Sequence, residues 1–302
     1  MAKTVVKEES KPTTRLVSKE DGKTIVSLVT SNIGTLLLVV AAFFLGALVT
    51  ENRYLKAGGG PSAAPAAGAA AAAAPAAAGT ATAVSLDTIK GLFSGKYISF
   101  GDANRKVLFV EVADPSCPYC HVAGGEDGAL NKAMGAQFTL TADGGTYDAP
   151  VPEMKKLVDA GKASFVYIYS PGHGNGEMGA RALYCAQEKG KFWQVHDLMM
   201  SEKGYEIQNG TDASQQPTTG PIVKNDKTKA GDLANFLKDA IDPNFMKDCL
   251  SNGKYDSRLT SDTAEATALG IQGTPGFFVN TTNYAGAYSW TDMKSTVDAA
   301  LQ

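Results

Sequence analysis

The sequence is poor in the residues that build metal clusters and disulfide-stapled folds. It has 4 cysteines and 3 histidines in 302 residues. So few cysteines do not make a disulfide scaffold for a chain of this size. Structural zinc sites need four ligands, and no second close-spaced pair accompanies Cys117 and Cys120. We therefore expect no metal and no cofactor, and we interpret His173 and His196 as structural.

A strong excess of either charge is also lacking. The net charge is −3 at pH 7, and no stripe of basic residues runs through the second half of the chain. Proteins that bind nucleic acid neutralise its phosphates with clustered Lys and Arg. The composition therefore excludes nucleic acid as an expected partner.

A largely apolar segment, from Ile25 to Val49, has no charged residue. At 1.5 Å per helical residue it would reach about 37 Å, more than the hydrocarbon thickness of about 30 Å. Residues 25–49 are therefore predicted to form a transmembrane helix, and residues 1–24 a cytoplasmic tail, because basic residues favour the cytoplasmic side. A cleaved signal peptide is the alternative, but it normally has a shorter apolar region. The basic residues are Lys3, Lys7, Lys11, Arg15, Lys19 and Lys23 before the segment, and Arg53 and Lys56 after it.

Within residues 50–84, the stretch at 57–83 is almost entirely Ala, Gly and Pro with a few Ser and Thr. Such a stretch has too few large apolar side chains to pack, and its prolines interrupt helix formation. We expect a disordered, flexible linker that holds the following domain away from the bilayer. The sequence leaves open whether this linker is cleaved. The predicted location is the cell (inner) membrane, single-pass, with the rest of the chain extracytoplasmic.

Residues 85–302 have the pattern of one α/β domain. A buried strand is predicted to lead into a helix that begins at the cysteine pair, and further strands alternate with helices. A helical insertion is expected over residues 176–269, broken by a polar loop. The other predicted elements are strands at 106–113, 164–169 and 276–280, and helices at 151–160 and 290–301.

The Cys117-Pro-Tyr-Cys120 motif has three interpretations: a redox dithiol, half of a zinc site, or c-type haem attachment completed by His121. The preceding strand and the proline, which suits the first turn of a helix, favour the redox dithiol. A cysteine at a helix N-terminus is stabilised as thiolate by the unpaired N–H groups and the helix dipole.

Several further features carry a resemblance to a known family. Glu111 lies within the strand before the motif, Thr274-Pro275 follows it far along the chain, and the segments 181–198 and 269–280 have characteristic sequences. Together they resemble the DsbA-like thiol–disulfide oxidoreductases of the thioredoxin-like superfamily. The resemblance implies a thioredoxin-like fold and a protein disulfide oxidoreductase.

The resemblance assigns roles around the motif. Cys117 would be the nucleophile that forms a mixed disulfide with a client protein, and Cys120 the buried resolving thiol. Pro118 and Tyr119 would tune the stability of the thiolate. Glu111 would be a proton relay for Cys120.

The resemblance also implies roles for residues outside the motif. Thr274 and a cis Pro275 would present backbone to an extended client strand. His121 would either add positive charge near the cysteines or be an ordinary helix residue. Cys185 and Cys249 would form a structural disulfide, as some DsbA-like proteins carry a second one.

The predicted function is a membrane-anchored, extracytoplasmic enzyme that forms disulfides in cysteine-containing exported proteins. A quinone-linked membrane partner of the DsbB or VKOR type would re-oxidise it. A disulfide isomerase or reductase of the same fold is the first alternative, because sequence determines the direction poorly. An envelope c-type cytochrome is the second, and a thioredoxin-fold binding module with dispensable cysteines the third.

Overall fold

The computed structural model describes residues 84–302. The predicted tail, the transmembrane helix and all but the last residue of the predicted linker lie outside the described residues. Among residues 84–302, no helix is long and apolar enough to cross a membrane.

The described part alternates short strands with helices. The strands are β1 (Ile98–Phe100), β2 (Val107–Ala113), β3 (Ala163–Tyr169), β4 (Gly276–Val279) and β5 (Thr282–Ala285). The first helices are α1 (Leu86–Gly91), α2 (Pro118–Gly124), α3 (Gly128–Ala133), α4 (Pro150–Asp159), α5 (Glu177–Glu188) and α6 (Phe192–Met200). The later helices are α7 (Glu202–Asn209), α8 (Ala230–Phe236), α9 (Pro243–Ser251), α10 (Asp256–Ala268) and α11 (Trp290–Leu301).

The five strands form one mixed sheet in the order β1-β3-β2-β4-β5. The central strands β2 and β3 are parallel, with Glu111 opposite Tyr167. The other neighbouring strands are antiparallel, and β4 places Phe277 on the other side of Glu111. The two central strands are buried along their whole length because helices cover both faces.

Side chains alternate between the two faces of the sheet and build two cores. Phe109, Phe165 and Tyr167 point into the larger core, which also contains Cys117 and Cys120. The alternate residues of the same strands pack on the other face against α1, α10 and neighbouring residues: Leu108, Val110, Val112, Val166 and Ile168. The cysteine pair therefore lies over the face that Glu111 and Tyr167 share.

The structure confirms the mixed α/β, thioredoxin-like plan with many helices. The predicted strands and the helices near residues 151–160 and 290–301 are present within one residue at each end. The sequence patterns missed β1, which has three residues, and β5, whose side chains are mostly exposed. Neither strand has the apolar run or alternation that strand prediction depends on.

Candidate active site

The cysteine pair lies where β2 passes into α2. The backbone N–H of Cys117 donates to the carbonyl of Asp114 at 2.9 Å, and Pro118 is the first residue of α2. Proline fits there because the first N–H groups of a helix have no intrahelical acceptor. Pro118 and Tyr119 are half-buried, and the Tyr119 ring packs edge-on against Phe138 with centroids 5.7 Å apart.

Cys117 and Cys120 are free thiols with very different environments. Cys117 is 5% exposed and Cys120 is fully buried. A hydrogen bond from the Cys120 thiol lowers the pKa of Cys117 to about 7, with help from Thr274 and the backbone N–H groups of Cys120 and Tyr119, against the opposing effect of burial. Cys117 is therefore about half ionised at neutral pH, in the nucleophilic form.

Cys120 has the opposite tendency. Burial raises its pKa well above the ordinary value, and the neighbouring Cys117 raises it further. The backbone N–H of Asp114 lies 3.5 Å from its sulfur. Because the Cys120 thiol donates to Cys117, the pair consists of a reactive outer thiol and a protonated inner one.

The loop before β4 faces this pair. The Thr274–Pro275 peptide bond is cis, and the carbonyl oxygen of Thr274 lies 3.4 Å from the sulfur of Cys117. The antiparallel pairing of β4 with β2 explains the contact, because it brings Gly276 beside Val112 near the end of β2. Residues separated by more than 150 positions in the chain are thus adjacent at the site.

Glu111 lies on β2 beneath the cysteines. It is fully buried, and neither carboxylate oxygen has a hydrogen-bond partner among residues 84–302. Burial raises its pKa to about 7, which His196 opposes. The carboxyl group can therefore gain and lose a proton near neutral pH, as a relay must.

His121 lies in α2 and is fully buried. Its Nδ1 is 2.8 Å from the carbonyl oxygen of Met200, and its Nε2 is 2.8 Å from that of Pro115. Burial lowers the pKa of His121 to about 4, which the two carbonyls oppose without reversing it. The neutral ring can donate to one of these carbonyls, and both nitrogens face protein oxygen atoms.

The contacts of His121 concern the haem interpretation, and the grouping of metal-binding side chains concerns the zinc interpretation. A haem iron would need a free nitrogen of His121, and both are engaged by carbonyl groups of Met200 and Pro115. In the part of the chain that the structure describes, no three His, Cys, Asp or Glu side chains are grouped to hold a metal ion.

Asp114 was not singled out from the sequence, yet it organises the residues before the cysteines. One carboxylate oxygen accepts from the backbone N–H and the hydroxyl of Ser116, both at 2.8 Å. The other accepts from the three successive N–H groups of Gly172, His173 and Gly174, at 2.8–3.2 Å. This fully buried carboxylate thereby ties the end of β2 to the loop after β3. Its place at the end of a buried strand, three residues before Cys117, was the available signal.

Two amides on α7 hold the same segment from the other side. Gln208 donates to the carbonyl of Pro115 at 2.7 Å, and Asn209 donates to that of Ser116 at 3.1 Å. These bonds satisfy buried backbone groups that the strand-to-helix turn leaves unpaired. Both residues lie in the helical insertion, where sequence reasoning assigned no role in the site.

The second cysteine pair lies apart from the first. Cys185 on α5 and Cys249 on α9 form a disulfide that joins residues 64 positions apart. Both are buried in the larger core. The bridge links two helices of the insertion.

The fold and the site together define a thioredoxin-like domain with a dithiol beside a cis-proline loop. A family model described as Thioredoxin matches residues 151–299. That range contains Thr274 and Pro275 but not the cysteine motif. The match covers slightly less than half of the chain and agrees with a thioredoxin-like fold.

Solved structures of several bacterial proteins are similar to this chain. BdbD from Bacillus subtilis, in its oxidised form, is 21% identical, with a TM-score of 0.47 over 68% of this chain and 93% of that one. DsbA from Chlamydia trachomatis is 14% identical, with a TM-score of 0.48 over 68% and 91%. A variant of alpha-DsbA1 from Wolbachia pipientis is 16% identical, with a TM-score of 0.49 over 71% and 96%.

Two further proteins that are similar in sequence are named as Na(+)/H(+) antiporters. The Na(+)/H(+) antiporter NhaA 3 of Salinispora tropica is 24% identical over 205 residues, which are 67% of this chain. The Na(+)/H(+) antiporter NhaA 1 of Salinispora arenicola is 22% identical over the same length. This chain spans about a quarter of the length of these relatives, 24% of each.

Proposed function

We propose that this protein is a membrane-anchored, extracytoplasmic thiol–disulfide oxidoreductase that forms disulfides in cysteine-containing exported proteins. The observation that carries the proposal is the Cys117–Cys120 dithiol, whose outer thiol has a pKa lowered to about 7 while that of the inner thiol is raised. A structural thiol in an apolar core has no such asymmetry, and the thiolate is the nucleophile in disulfide exchange.

The reaction starts from the oxidised pair. A client thiolate attacks the sulfur of Cys117, the Cys117–Cys120 bond breaks, and Cys120 takes the electron pair and one proton. A second client thiolate then attacks the client sulfur of the mixed disulfide and releases Cys117 as thiolate. Two electrons pass from the client to the domain, and the client gains one disulfide.

Glu111 is proposed as the source of the proton for Cys120. Its buried carboxyl group, with a pKa of about 7, faces the same core as that thiol. A donor with a pKa near the working pH can both give up a proton and regain it.

The client is proposed to bind along the loop of Thr274 and Pro275. The carbonyl of Thr274 is 3.4 Å from the sulfur of Cys117, so a chain paired with this loop would bring its own sulfur to the site. A groove of about 320 Å³ runs beside the loop and is lined by residues 270–276 and by Asn283, Ala285 and Gly286. Backbone recognition suits an enzyme with many clients.

The anchor and the redox partner are parts of this proposal that rest on sequence. The uncharged run at 25–49 and the basic residues before it support a single span with the domain outside. A domain that gives away its disulfide needs an oxidant, for which a quinone-linked membrane enzyme of the DsbB or VKOR type is proposed.

A second candidate is reduction or isomerisation of client disulfides. It is favoured by the pKa of about 7 for Cys117, which is close to that of thioredoxin, at about 7, and above that of DsbA, at about 3.5. A less stabilised thiolate makes the reduced pair less favourable and the disulfide less oxidising.

The test uses the full chain in detergent micelles with two clients. Oxidised protein is mixed with a reduced, unfolded secreted protein, and reduced protein with a folded one that has an exposed disulfide. Alkylation and mass measurement follow each reaction. We expect faster exchange with the reduced client and none with Cys117→Ser. Faster exchange with the disulfide client would support the second candidate, and exchange that survives Cys117→Ser would refute both.

A further inference from the structure

The loop between β3 and α5 is rich in glycine and exposed, yet hydrogen bonds hold it in one place. Gly172, Gly174 and Gly176 alternate within residues 171–176, and residues 171–174 are exposed to solvent. Fixing a glycine costs more conformational entropy than fixing any other residue. The exchange reaction uses no residue of this loop. The contacts that fix it, and the residue that it touches, therefore indicate what it does.

Asp114 holds the loop from the side of the cysteine motif. One oxygen of its buried carboxylate accepts from the N–H groups of Gly172, His173 and Gly174 at 2.9, 2.8 and 3.2 Å. The side-chain amide of Asn225 adds a bond from the outside, to the carbonyl of Gly174 at 2.8 Å. Hydrogen bonds to a carboxylate are stronger than those between neutral groups. The first half of the loop is therefore fixed relative to the end of β2.

Gly172 is the residue of this loop that touches the loop of Thr274 and Pro275. A methyl group at position 172 would overlap the hydroxyl oxygen of Thr274 and would lie 2.9 Å from its Cβ and 3.2 Å from its Cγ2. Gly172 is not among the glycines with positive φ. Close approach of the two loops, rather than an unusual backbone conformation, is therefore the reason for glycine at this position.

Thr274 in turn lies against Cys117. Its carbonyl oxygen is 3.4 Å from the sulfur and accepts from the thiol. A thiolate has no hydrogen to donate, and the side chain of Thr274 is one of the groups that lower the pKa of Cys117. The Thr274 hydroxyl is buried and has no hydrogen-bond partner within residues 84–302, so it is available as a donor to the thiolate. The position of this side chain thus affects the stability of the thiolate.

We propose that Asp114 and Gly172 are positioning residues for the exchange reaction: Asp114 fixes the loop after β3, and Gly172 keeps Thr274 in its place beside Cys117. The inference rests on the proposed function and adds to it the contacts that support the client loop. A loop that only connected β3 with α5 would tolerate a side chain at the exposed position 172. Gly172 acts through Thr274, and the carboxylate of Asp114 acts through the loop.

An added methyl group at Gly172 should make the thiolate of Cys117 less stable. It would displace the Thr274 hydroxyl and remove one donor from the sulfur. The pKa of Cys117 should rise from about 7 by about one unit, the effect of losing one hydrogen bond to a charged group. A less stable thiolate makes the disulfide less oxidising, and at pH 8 the equilibrium with glutathione should change about fivefold.

The experiment measures alkylation of Cys117 by iodoacetamide in the reduced full chain in micelles, from pH 5 to pH 10. Gly172→Ala is expected to raise the midpoint by about one unit and to slow the reaction about tenfold at pH 6. The plateau at high pH should stay within about twofold of the wild type. A looser loop that merely exposed the sulfur would raise the plateau and leave the midpoint unchanged.

Gly220→Ala is the matched control. Gly220 is also an exposed loop glycine without positive φ, and a methyl group there would have no atom within 4 Å. Its midpoint and plateau should equal those of the wild type. A midpoint raised as much in Gly220→Ala as in Gly172→Ala would show that the contact with Thr274 is not the cause.

Thr274→Ala tests whether the effects pass through Thr274. In this background the overlapping hydroxyl is absent, and Gly172→Ala should shift the midpoint less than half as much. Asp114→Asn removes a charge as well as loosening the loop, so its shift is compared in both backgrounds, where the charge effect cancels. The shift should be higher by about half a unit or more with Thr274 present.

The proposal is overturned if Gly172→Ala leaves the midpoint within about 0.3 unit of the wild type, or if its shift is the same in both backgrounds. If Gly172→Ala does not fold, equal shifts from Asp114→Asn in the two backgrounds overturn it. Failure of the proposed function is distinct. In that case the alkylation profiles would be as expected, but the oxidised wild type would form no disulfide in a reduced client.

Discussion

The two cysteine pairs of this domain have the same atoms and opposite properties. Cys117 and Cys120 are three positions apart and lie as free thiols at the junction of β2 and α2. Cys185 and Cys249 are 64 positions apart and form a bridge between α5 and α9. All four are buried. Burial alone therefore does not determine whether a cysteine pair is structural or reactive.

The immediate neighbours make the difference. Cys117 has a backbone carbonyl at 3.4 Å and a second thiol that donates to it, and the carboxyl group of Glu111 lies in the same core. The bridge is surrounded mainly by apolar side chains of the larger core. A pair becomes reactive when one thiol is stabilised as thiolate and a proton source lies nearby.

The largest expected effect on the exchange rate comes from removal of one sulfur of the reactive pair. Cys117→Ser should lower the rate of disulfide exchange by about a thousandfold or more, since removal of a nucleophile eliminates the covalent step. Measurement of client oxidation by alkylation and mass spectrometry tests this. Removal of Cys185 and Cys249 is the matched control, and its initial rate should equal that of the wild type.

Removal of the Cys185–Cys249 disulfide should lower the stability of the domain and leave the exchange rate unchanged. Cys185→Ala combined with Cys249→Ala removes a closed loop of 64 residues. In the chain-entropy model it should lower the free energy of unfolding by about 4 kcal/mol. Urea unfolding of the full chain in micelles measures the change. An equal loss of stability from Cys117→Ser would mean that the two pairs do not differ as described.

Glu111→Gln removes the proposed proton source and leaves both sulfurs in place. The rise of the Glu111 pKa from 4.5 to about 7 corresponds to about 3 kcal/mol. A raised carboxyl pKa means that the folded form binds more protons than the unfolded one between these values. Stability is therefore full below about pH 4.5 and falls as the pH rises to 7. The variant should lack this decline, whereas Asp239→Asn should keep it.

The smallest expected effect is the pH dependence of Cys117 itself. With a pKa of about 7, its thiolate fraction rises about tenfold between pH 6 and pH 8. The rate of alkylation by iodoacetamide should rise by the same factor and level off above pH 8. A midpoint near 9 would show that the surroundings of Cys117 do not stabilise its thiolate.

The sequence was most informative where local patterns and chemistry coincide. The apolar run of β2 and the proline after Cys117 predicted the junction of strand and helix, and the family resemblance implied that Thr274-Pro275 would face it. The contacts of Asp114 could not be predicted, because three of its five donors come from a segment that begins 58 positions after it. The strand β5 was missed because its side chains face solvent and only its pairing with β4 defines it.

The predicted roles of individual residues remain predictions. Cys117, Cys120 and Thr274 do lie together, and Glu111 is buried on the strand that precedes them. Of the two alternatives for His121, a charged neighbour and an ordinary helix residue, the second is favoured, since burial lowers its pKa to about 4. Its aromatic ring, packed edge-on against Tyr205 at 5.2 Å, supports the turn that carries the cysteines.

The most direct test of the difference between the two pairs is to measure both reduction potentials in one sample. The full chain in micelles is equilibrated with glutathione or dithiothreitol buffers, and the state of each cysteine is read by differential alkylation and mass spectrometry. The account predicts that Cys117–Cys120 changes state between about −270 and −120 mV, while Cys185–Cys249 stays oxidised down to about −300 mV. Reduction of Cys185–Cys249 first, or of both pairs together, would contradict it.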